Sequence, residues 1–171
     1  MKFLKSKKGL AALIASVVAV GAMAFGAYAY FTSTGSGTGS ATVGTDSAWT
    51  VGQTGSTGAA NLYPDTTIGA GSIQTKTYDI TNPSAGHQNL TSVTVKVANA
   101  DGSPWTSGTC SKSDFSVGGA APGATYTDTD SAGNFAGGET RSDTVTVQMI
   151  DSGSNQNDCR GLTVPLYFFA S

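Results

Sequence analysis

Residues able to carry out acid–base or nucleophilic chemistry are few in this chain. Its 171 residues include one histidine, His87, and one glutamate, Glu139. A zinc protease of the usual kind needs two histidines one helical turn apart with a glutamate base between them, and this pattern is absent from the sequence. A Ser-His-Asp site could use only His87, which follows the turn-like stretch 82–86. We therefore predict no enzymatic activity, no catalytic residues and no cofactor.

The two cysteines, Cys110 and Cys159, are the second chemical feature. In an exported protein an even pair of cysteines indicates a disulfide. A nucleophilic cysteine would need a histidine beside it, and His87 lies in a turn-like stretch. We predict a Cys110–Cys159 disulfide, which would close a loop of about 50 residues and stabilise the fold by roughly 4 kcal/mol in the chain-entropy model.

Two acidic stretches carry oxygen ligands of the type that calcium prefers. One is the stretch 151–158, which begins at Asp151 and ends at Asp158, and the other is the pair Asp128 and Asp130. Neither follows the spacing of an EF-hand loop, and Asp, Asn, Ser and Gly are also the residues that turns select. The residue types favour turns at both places, so no metal site is predicted, and calcium binding by 151–158 stays open.

Aromatic side chains form one more candidate site. Carbohydrate sites often stack sugars on exposed rings, whereas sandwich cores normally take up one or two Trp and several Tyr. Trp105 lies in the loop-like stretch 101–108 and is the candidate ligand platform. The rings considered are Trp49, Tyr63, Tyr78, Trp105, Tyr126 and Tyr167.

The N-terminus has a positive segment, an apolar run and a small-x-small motif, which together are typical of a secretory signal. The run 10–31 is uncharged, and Ala27 and Ala29 form the motif, so cleavage is predicted before Tyr30. The alternative is an uncleaved membrane anchor, because a run of about 22 residues is near the length that spans a bilayer as a helix. The positive segment consists of Lys2, Lys5, Lys7 and Lys8.

Cleavage would change the net charge of the chain. The whole sequence has 9 Lys and Arg residues against 11 Asp and Glu residues, and losing the four signal lysines leaves five cations against eleven acids, a net charge of −6. Such a surface favours neither nucleic acid nor anionic lipid as a partner. A membrane would be reached only through an uncleaved N-terminal segment.

The composition favours short strands joined by polar turns. The chain has 23 glycines, 12% charged residues and few helix formers. Apolar alternation predicts strands at 73–82, 90–98, 144–150 and 162–169, with weaker strands at 114–117 and 125–128. The first strand is predicted at 41–51, where Val43, Trp49 and Val51 are apolar. Pro165 cannot donate to a ladder, so the last strand is predicted to lie at an edge or to carry a bulge.

Seven or eight such strands predict an all-β fold, an antiparallel two-sheet sandwich preceded by an apolar signal helix. We divide the chain into a signal peptide or anchor at 1–29, a Gly/Ser/Thr-rich segment with the first strand at 30–58, and a β-sandwich domain at 59–171.

Two parts of the sequence resemble known families. The stretch 28–45, Tyr-Ala-Tyr-Phe-Thr-Ser-Thr-Gly-Ser-Gly-Thr-Gly-Ser-Ala-Thr-Val-Gly-Thr, resembles the start of exported proteins with a SipW-dependent signal peptide, such as TasA and the camelysins. The stretch 62–170 is similar to immunoglobulin-like domains of small secreted actinobacterial proteins, notably in Asp-Ile-Thr-Asn-Pro-Ser at 79–84 and Ser-Asn-Gln-Asn-Asp-Cys at 154–159. The resemblance implies an immunoglobulin-like sandwich and export, and little about activity.

We expect a secreted or cell-surface structural or interaction module without catalytic activity, such as a component of an extracellular matrix or surface assembly. Its partner would be a second copy or another cell-surface component, because an edge strand can accept a strand from another chain. The segment 31–51 is a candidate donor, unless it is only the first strand of its own sheet plus a spacer. The alternative function is a soluble extracellular module that binds carbohydrate-type ligands.

Overall fold

The computed structural model describes residues 46–171, which form eleven strands and two single-turn 3-10 helices. The predicted all-β class is confirmed for this part of the chain, and none of its helices is long and apolar enough to cross a membrane. The predicted signal helix, in 1–29, lies outside the described residues. In chain order the strands are β1 (Thr50–Gly58), β2 (Ile73–Thr81), β3 (Gln88–Leu90), β4 (Val93–Val97), β5 (Thr106–Ser107), β6 (Cys110–Ser111), β7 (Phe115–Val117), β8 (Tyr126–Asp128), β9 (Gly133–Phe135), β10 (Thr140–Met149) and β11 (Leu166–Ala170), and the helices are Lys112–Asp114 and Asn157–Cys159.

The larger sheet has four antiparallel strands in the order β1-β2-β10-β7. β2 lies inside this sheet and pairs with β10 along its whole length. Both strands are rich in Thr and Val or Ile, whose branched side chains suit a pleated, half-buried surface. Alternate residues of β2 face inward, and Tyr78 and Ile80 are fully buried there.

The second sheet has three antiparallel strands in the order β11-β4-β8. Val93, Val95 and Val97 of β4 are buried, as their alternation with Thr94 and Lys96 predicts. Two further pairs, β3-β9 and β5-β6, complete the sheets of the described part. The prediction of short antiparallel strands is therefore confirmed, but the described residues form eleven strands in four sheets rather than the predicted seven or eight in two.

The last strand lies at an edge of the three-stranded sheet, as the proline predicts. It is shorter than the predicted 162–169, since it begins at Leu166, directly after Pro165. Pro165 has no N–H to donate, although its carbonyl accepts the N–H of Ala98 at 3.3 Å. Leu162, the first residue of the predicted strand, lies outside β11 and is 38% exposed.

One hydrophobic core collects side chains from both larger sheets and from β9. The ring of Tyr78 in β2 packs on Phe168 in β11, with ring centroids 4.9 Å apart. Phe135 in β9 meets the edge of Trp49 at 5.0 Å, and the Arg141 guanidinium lies 3.9 Å from the centroid of the Phe135 ring. The Tyr78–Phe168 contact joins the four-stranded and three-stranded sheets through the core, and Phe135 brings β9 into the same core.

A buried hydrogen bond joins the two larger sheets. The Tyr78 hydroxyl in β2 donates to Asp128 Oδ2 at the end of β8, over 2.6 Å. Burial, and next the hydrogen bond to Asp128, raise the pKa of Tyr78 above its ordinary range. The hydroxyl therefore keeps its proton and remains a donor across the physiological pH range.

The predicted disulfide is present, and it joins Cys110 and Cys159 with their Cα atoms 5.1 Å apart. Cys110 in β6 is fully buried, and Cys159 ends the second 3-10 helix. A buried disulfide indicates an oxidising environment of the kind found outside the cell.

The first strand lies later in the chain than the sequence predicts. The predicted strand is 41–51, whereas residues 46–49 are irregular and β1 spans Thr50–Gly58; residues 41–45 lie outside the described residues. The prediction relied on apolar residues, but β1 is a polar edge strand that backbone pairing with β2 holds in place. Trp49 and Val51 still pack against the core. The predicted boundary between the Gly/Ser/Thr-rich segment (30–58) and the β-sandwich domain (59–171) coincides with the end of β1 at Gly58.

Candidate functional site

A cleft of about 940 Å³ opens beside the inward face of the four-stranded sheet. Three parts of the chain line it: inward side chains of β2, β7 and β10, the stretch 60–64 after β1, and the stretch 154–166 that leads into β11. Sites for small-molecule ligands usually have volumes of about 300–1,000 Å³. The cleft is therefore the candidate binding site of the described residues.

The floor of the cleft is apolar. Phe115, Val147 and Met149 point inward from β7 and β10 and are 2%, 2% and 6% exposed. The flexible thioether of Met149 can adapt to differently shaped ligands. Because these three side chains are almost fully covered by the protein, a ligand would bury its apolar surface mainly against the half-buried Leu62, Val164 and Leu166, which complete the apolar lining.

Two polar residues of β2, Gln74 and Lys76, line the cleft from core-facing positions. They share the alternation of Tyr78 and Ile80, so they lie on the inward face of the strand. Pairing with β10 fixes this register, because Val145 lies opposite Lys76. The sequence analysis did not identify either residue as a site residue. Their positions in the alternation of β2 could have indicated that both side chains face inward.

Both polar side chains are held from the side of β1. The Lys76 ammonium donates to Ser56 Oγ at 2.9 Å, and the Gln74 amide donates to the Ala60 carbonyl at 3.3 Å. An ammonium has three N–H donors. Lys76 therefore keeps donors for a ligand that enters the cleft.

The cleft is positively charged, although the sequence from residue 46 onward is acidic. Lys76 and Arg160 line the cleft, whereas none of the 11 Asp and Glu residues does. Within residues 46–171, Arg141 forms an ion pair with Glu139 at 2.7 Å, but neither Lys76 nor Arg160 forms one. No carboxylate of this part of the chain therefore neutralises the two cations of the cleft. The local charge favours an anionic group.

The wall formed by 154–166 is fixed to the sheets at several points. The Gln156 amide donates to Asp114 Oδ1 at 2.7 Å and to the Ile150 carbonyl at 2.8 Å. The Cys110–Cys159 disulfide anchors the same wall three residues later. These bonds fix residues 156–159 of the wall to the sheets, and a preformed wall reduces the entropy that a ligand must overcome on binding.

His87 and Glu139, the candidate groups for acid–base chemistry, lie outside the cleft lining. His87 is exposed in the loop before β3. Glu139 accepts the Ala136 N–H and the Arg141 Nε–H, each at 2.7 Å. The Ala136 N–H, and next the Arg141 guanidinium, hold the pKa of Glu139 below its ordinary value. The carboxylate of Glu139 thus stabilises the turn before β10.

Asp128 and Asp130 lie with Asp143 in one group whose carboxylate oxygens are within 4.8 Å of one another. Asp128 is 3% exposed; its Oδ2 accepts the Tyr78 hydroxyl, and its Oδ1 accepts the Asp130 N–H at 3.0 Å. Asp143 accepts the Ser131 hydroxyl at 2.7 Å. These oxygens therefore bind protein donors, and Asp130 occupies a turn as predicted.

The acidic stretch 151–158 also uses its carboxylates to cap backbone groups. Asp151 Oδ1 accepts the Gly153 N–H at 2.8 Å, and Asp158 Oδ2 accepts the N–H and the hydroxyl of Thr109 at 2.8 and 2.9 Å. The Thr109 N–H, followed by its hydroxyl, lowers the pKa of Asp158. The Asp151 bond is that of a turn, as the residue types predict, whereas Asp158 lies in the second 3-10 helix and fixes it to Thr109, 49 residues earlier in the chain.

Trp105, the predicted ligand platform, is half-buried outside the cleft lining. Its ring packs against the Phe115 ring, and the two ring centroids are 6.2 Å apart. Tyr63 is 63% exposed and lines the cleft. Among the other rings considered, Tyr78 is buried, whereas Trp49, Tyr126 and Tyr167 are half-buried.

A scan of protein-family models and searches of curated proteins and of solved structures found no match to this chain. The candidate site therefore rests on its own geometry: an apolar floor, two cations and a wall fixed by a disulfide.

Proposed function

We propose that the protein is an exported, non-catalytic interaction module with an immunoglobulin-like sandwich, acting at the cell surface or in the extracellular matrix. The segment 1–29 would direct export, either as a signal peptide cleaved before Tyr30 or as an uncleaved anchor. The buried Cys110–Cys159 disulfide supports an oxidising location. Antiparallel sheets around one core support the sandwich architecture.

The observation that carries this proposal is the edge of the four-stranded sheet at β1. In the part of the chain that the structure describes, β1 has a single neighbouring strand, β2. Its nine residues are uncharged, and most of them are exposed. Natural sheets usually protect such an edge with charged side chains, proline, a β-bulge or a covering segment, because its unpaired N–H and C=O groups accept another strand. β1 has neither a charge nor a proline, and its one bulge, between Gln53 and Gly55, leaves the run 50–53 regular.

A β-bulge defines the usable part of this edge. The register with β2 shifts between Gln53 and Gly55, which divides β1 into two regular runs of four residues, 50–53 and 55–58. We infer that a second copy of the chain pairs with the run 50–53 in a two-fold arrangement. The four-stranded sheets of the two copies would then be continuous.

A lysine at Gly52 tests this interface. A Cβ at Gly52 meets no atom within 4 Å, so Gly52→Lys adds charge to the run without a steric clash. We expect the protein that starts at Tyr30 to dimerise with rising concentration in sedimentation velocity. Gly52→Lys should weaken this association by about a hundredfold or more, because the two-fold arrangement brings two like charges together.

The matched control is Gly86→Lys, in the loop before β3, where a Cβ likewise meets no atom within 4 Å. This variant should dimerise like the unmodified protein. A protein that stays monomeric at every concentration, or equal weakening by the two lysines, would contradict association through β1.

The alternative function is a soluble ligand-binding module, and the cleft is the observation that favours it. Of the six rings considered as a sugar platform, Tyr63 lines the cleft and is 63% exposed, whereas Trp105 and the other four lie outside the lining. The cleft therefore presents one aromatic ring on which a sugar could stack.

A further inference from the structure

The apolar floor of the cleft sets the first requirement on a ligand. Phe115, Val147 and Met149 form the base of this floor but are 2%, 2% and 6% exposed, so most of the apolar surface that a ligand can reach comes from Leu62, Tyr63, Leu162, Val164 and Leu166. This surface offers favourable burial to a hydrocarbon chain or ring. Polar side chains of the wall, including Asn155, Gln156 and Asn157, lie around it, so the cleft suits a ligand with an apolar body and a polar end.

The two cations set the second requirement. Lys76 is half-buried on the inward face of β2, and its one hydrogen bond among the described residues is to the neutral Ser56 hydroxyl. Burying a charge is costly unless an opposite charge lies close by. Arg160 is exposed, and no side-chain hydrogen bond engages its guanidinium within residues 46–171. The planar guanidinium matches the geometry of a carboxylate.

We propose that the cleft binds small amphipathic carboxylic acids, with the hydrocarbon part on the apolar floor and the carboxylate paired with Lys76 and Arg160. A neutral lipid would leave both cations without a counter-charge, and a cationic amphiphile would be repelled by them. This site goes beyond association through β1, since Gly52 does not line the cleft. The two proposals can therefore fail separately.

The test is a calorimetric titration of the protein that starts at Tyr30 with decanoate, compared with decyltrimethylammonium, which carries the same chain on a cationic head group. We expect saturable binding of one decanoate per chain and no saturable binding of the cation. Lys76→Gln and Arg160→Gln should each weaken decanoate binding by about tenfold, because each removes a charge-assisted contact.

Lys112→Gln is the matched control, since it removes an exposed cation that does not line the cleft. It should leave decanoate binding unchanged. Arg160 is exposed, so Arg160→Gln keeps the test valid even where Lys76→Gln fails to fold. Failure of decanoate to bind, equal binding of both head groups, or unchanged binding by Arg160→Gln would overturn the proposal. A dimer that covers the cleft and excludes decanoate would also overturn it, by giving the cleft to a second copy.

Discussion

Replacing Cys110 and Cys159 with alanine is expected to lower the free energy of unfolding by about 4 kcal/mol. The bond joins residues that are 49 positions apart, and removing it frees a long loop in the unfolded chain. A domain of this kind has a total stability of roughly 5–15 kcal/mol, so the loss is a large share of it. The same bond fixes the wall of the cleft, and decanoate binding should weaken with it.

Urea unfolding followed by circular dichroism measures this effect as a shift of the midpoint. The unmodified protein in reducing buffer is the matched comparison, because it loses the bond without a change of side-chain volume. Equal midpoints for the oxidised and reduced protein would show that the disulfide adds nothing to stability.

Tyr78→Phe is expected to lower the free energy of unfolding by about 1.5–3 kcal/mol, the range for removing the partner of a buried ionisable group. The ring contact with Phe168 at 4.9 Å remains in this variant. What is lost is the 2.6 Å hydrogen bond to Asp128, which leaves a carboxyl oxygen without its donor at a position that is 3% exposed. The decrease in the free energy of unfolding therefore measures how much the Tyr78–Asp128 hydrogen bond between the two larger sheets contributes to stability.

Tyr167→Phe is the matched control for this prediction. Tyr167 is half-buried in β11, where Lys96 lies over its ring at 5.3 Å, and no hydrogen bond engages its hydroxyl within the described residues. Its removal should change the stability by less than about 0.5 kcal/mol. Equal stability losses in the two variants would contradict a special role of the Tyr78–Asp128 bond.

The strands with one wet face could be predicted from the sequence. In β4 the valines at 93, 95 and 97 alternate with Thr94 and Lys96, and the structure buries the valines as expected. The missing N–H of Pro165 likewise predicts the edge position of β11. The disulfide followed from an even pair of cysteines in a chain with an export signal pattern.

The strand β1 could not be located from an apolar pattern. Backbone pairing with β2 holds this strand, and apart from Val51 its side chains are polar or absent. The apolar pattern therefore ends at Val51 and leaves residues 52–58 outside the predicted strand, because their pairing is visible only in three dimensions.

The cleft could not be predicted for a related reason. Lys76 was visible in the alternation of β2, but its meaning depends on a wall that lies about eighty residues later and is fixed by the disulfide. A single sequence does not show which distant segment covers the inward face of a strand.

Hydrogen exchange of the β1 amides at low and high protein concentration tests the central claim, that this edge is an interface between copies of the chain. We predict that amides in 50–53 that point away from β2 exchange more slowly at high concentration, because a second strand then binds them. The amides of β11, the edge of the other sheet, should exchange at the same rate in both samples. Equal exchange of the β1 amides at the two concentrations would contradict the account.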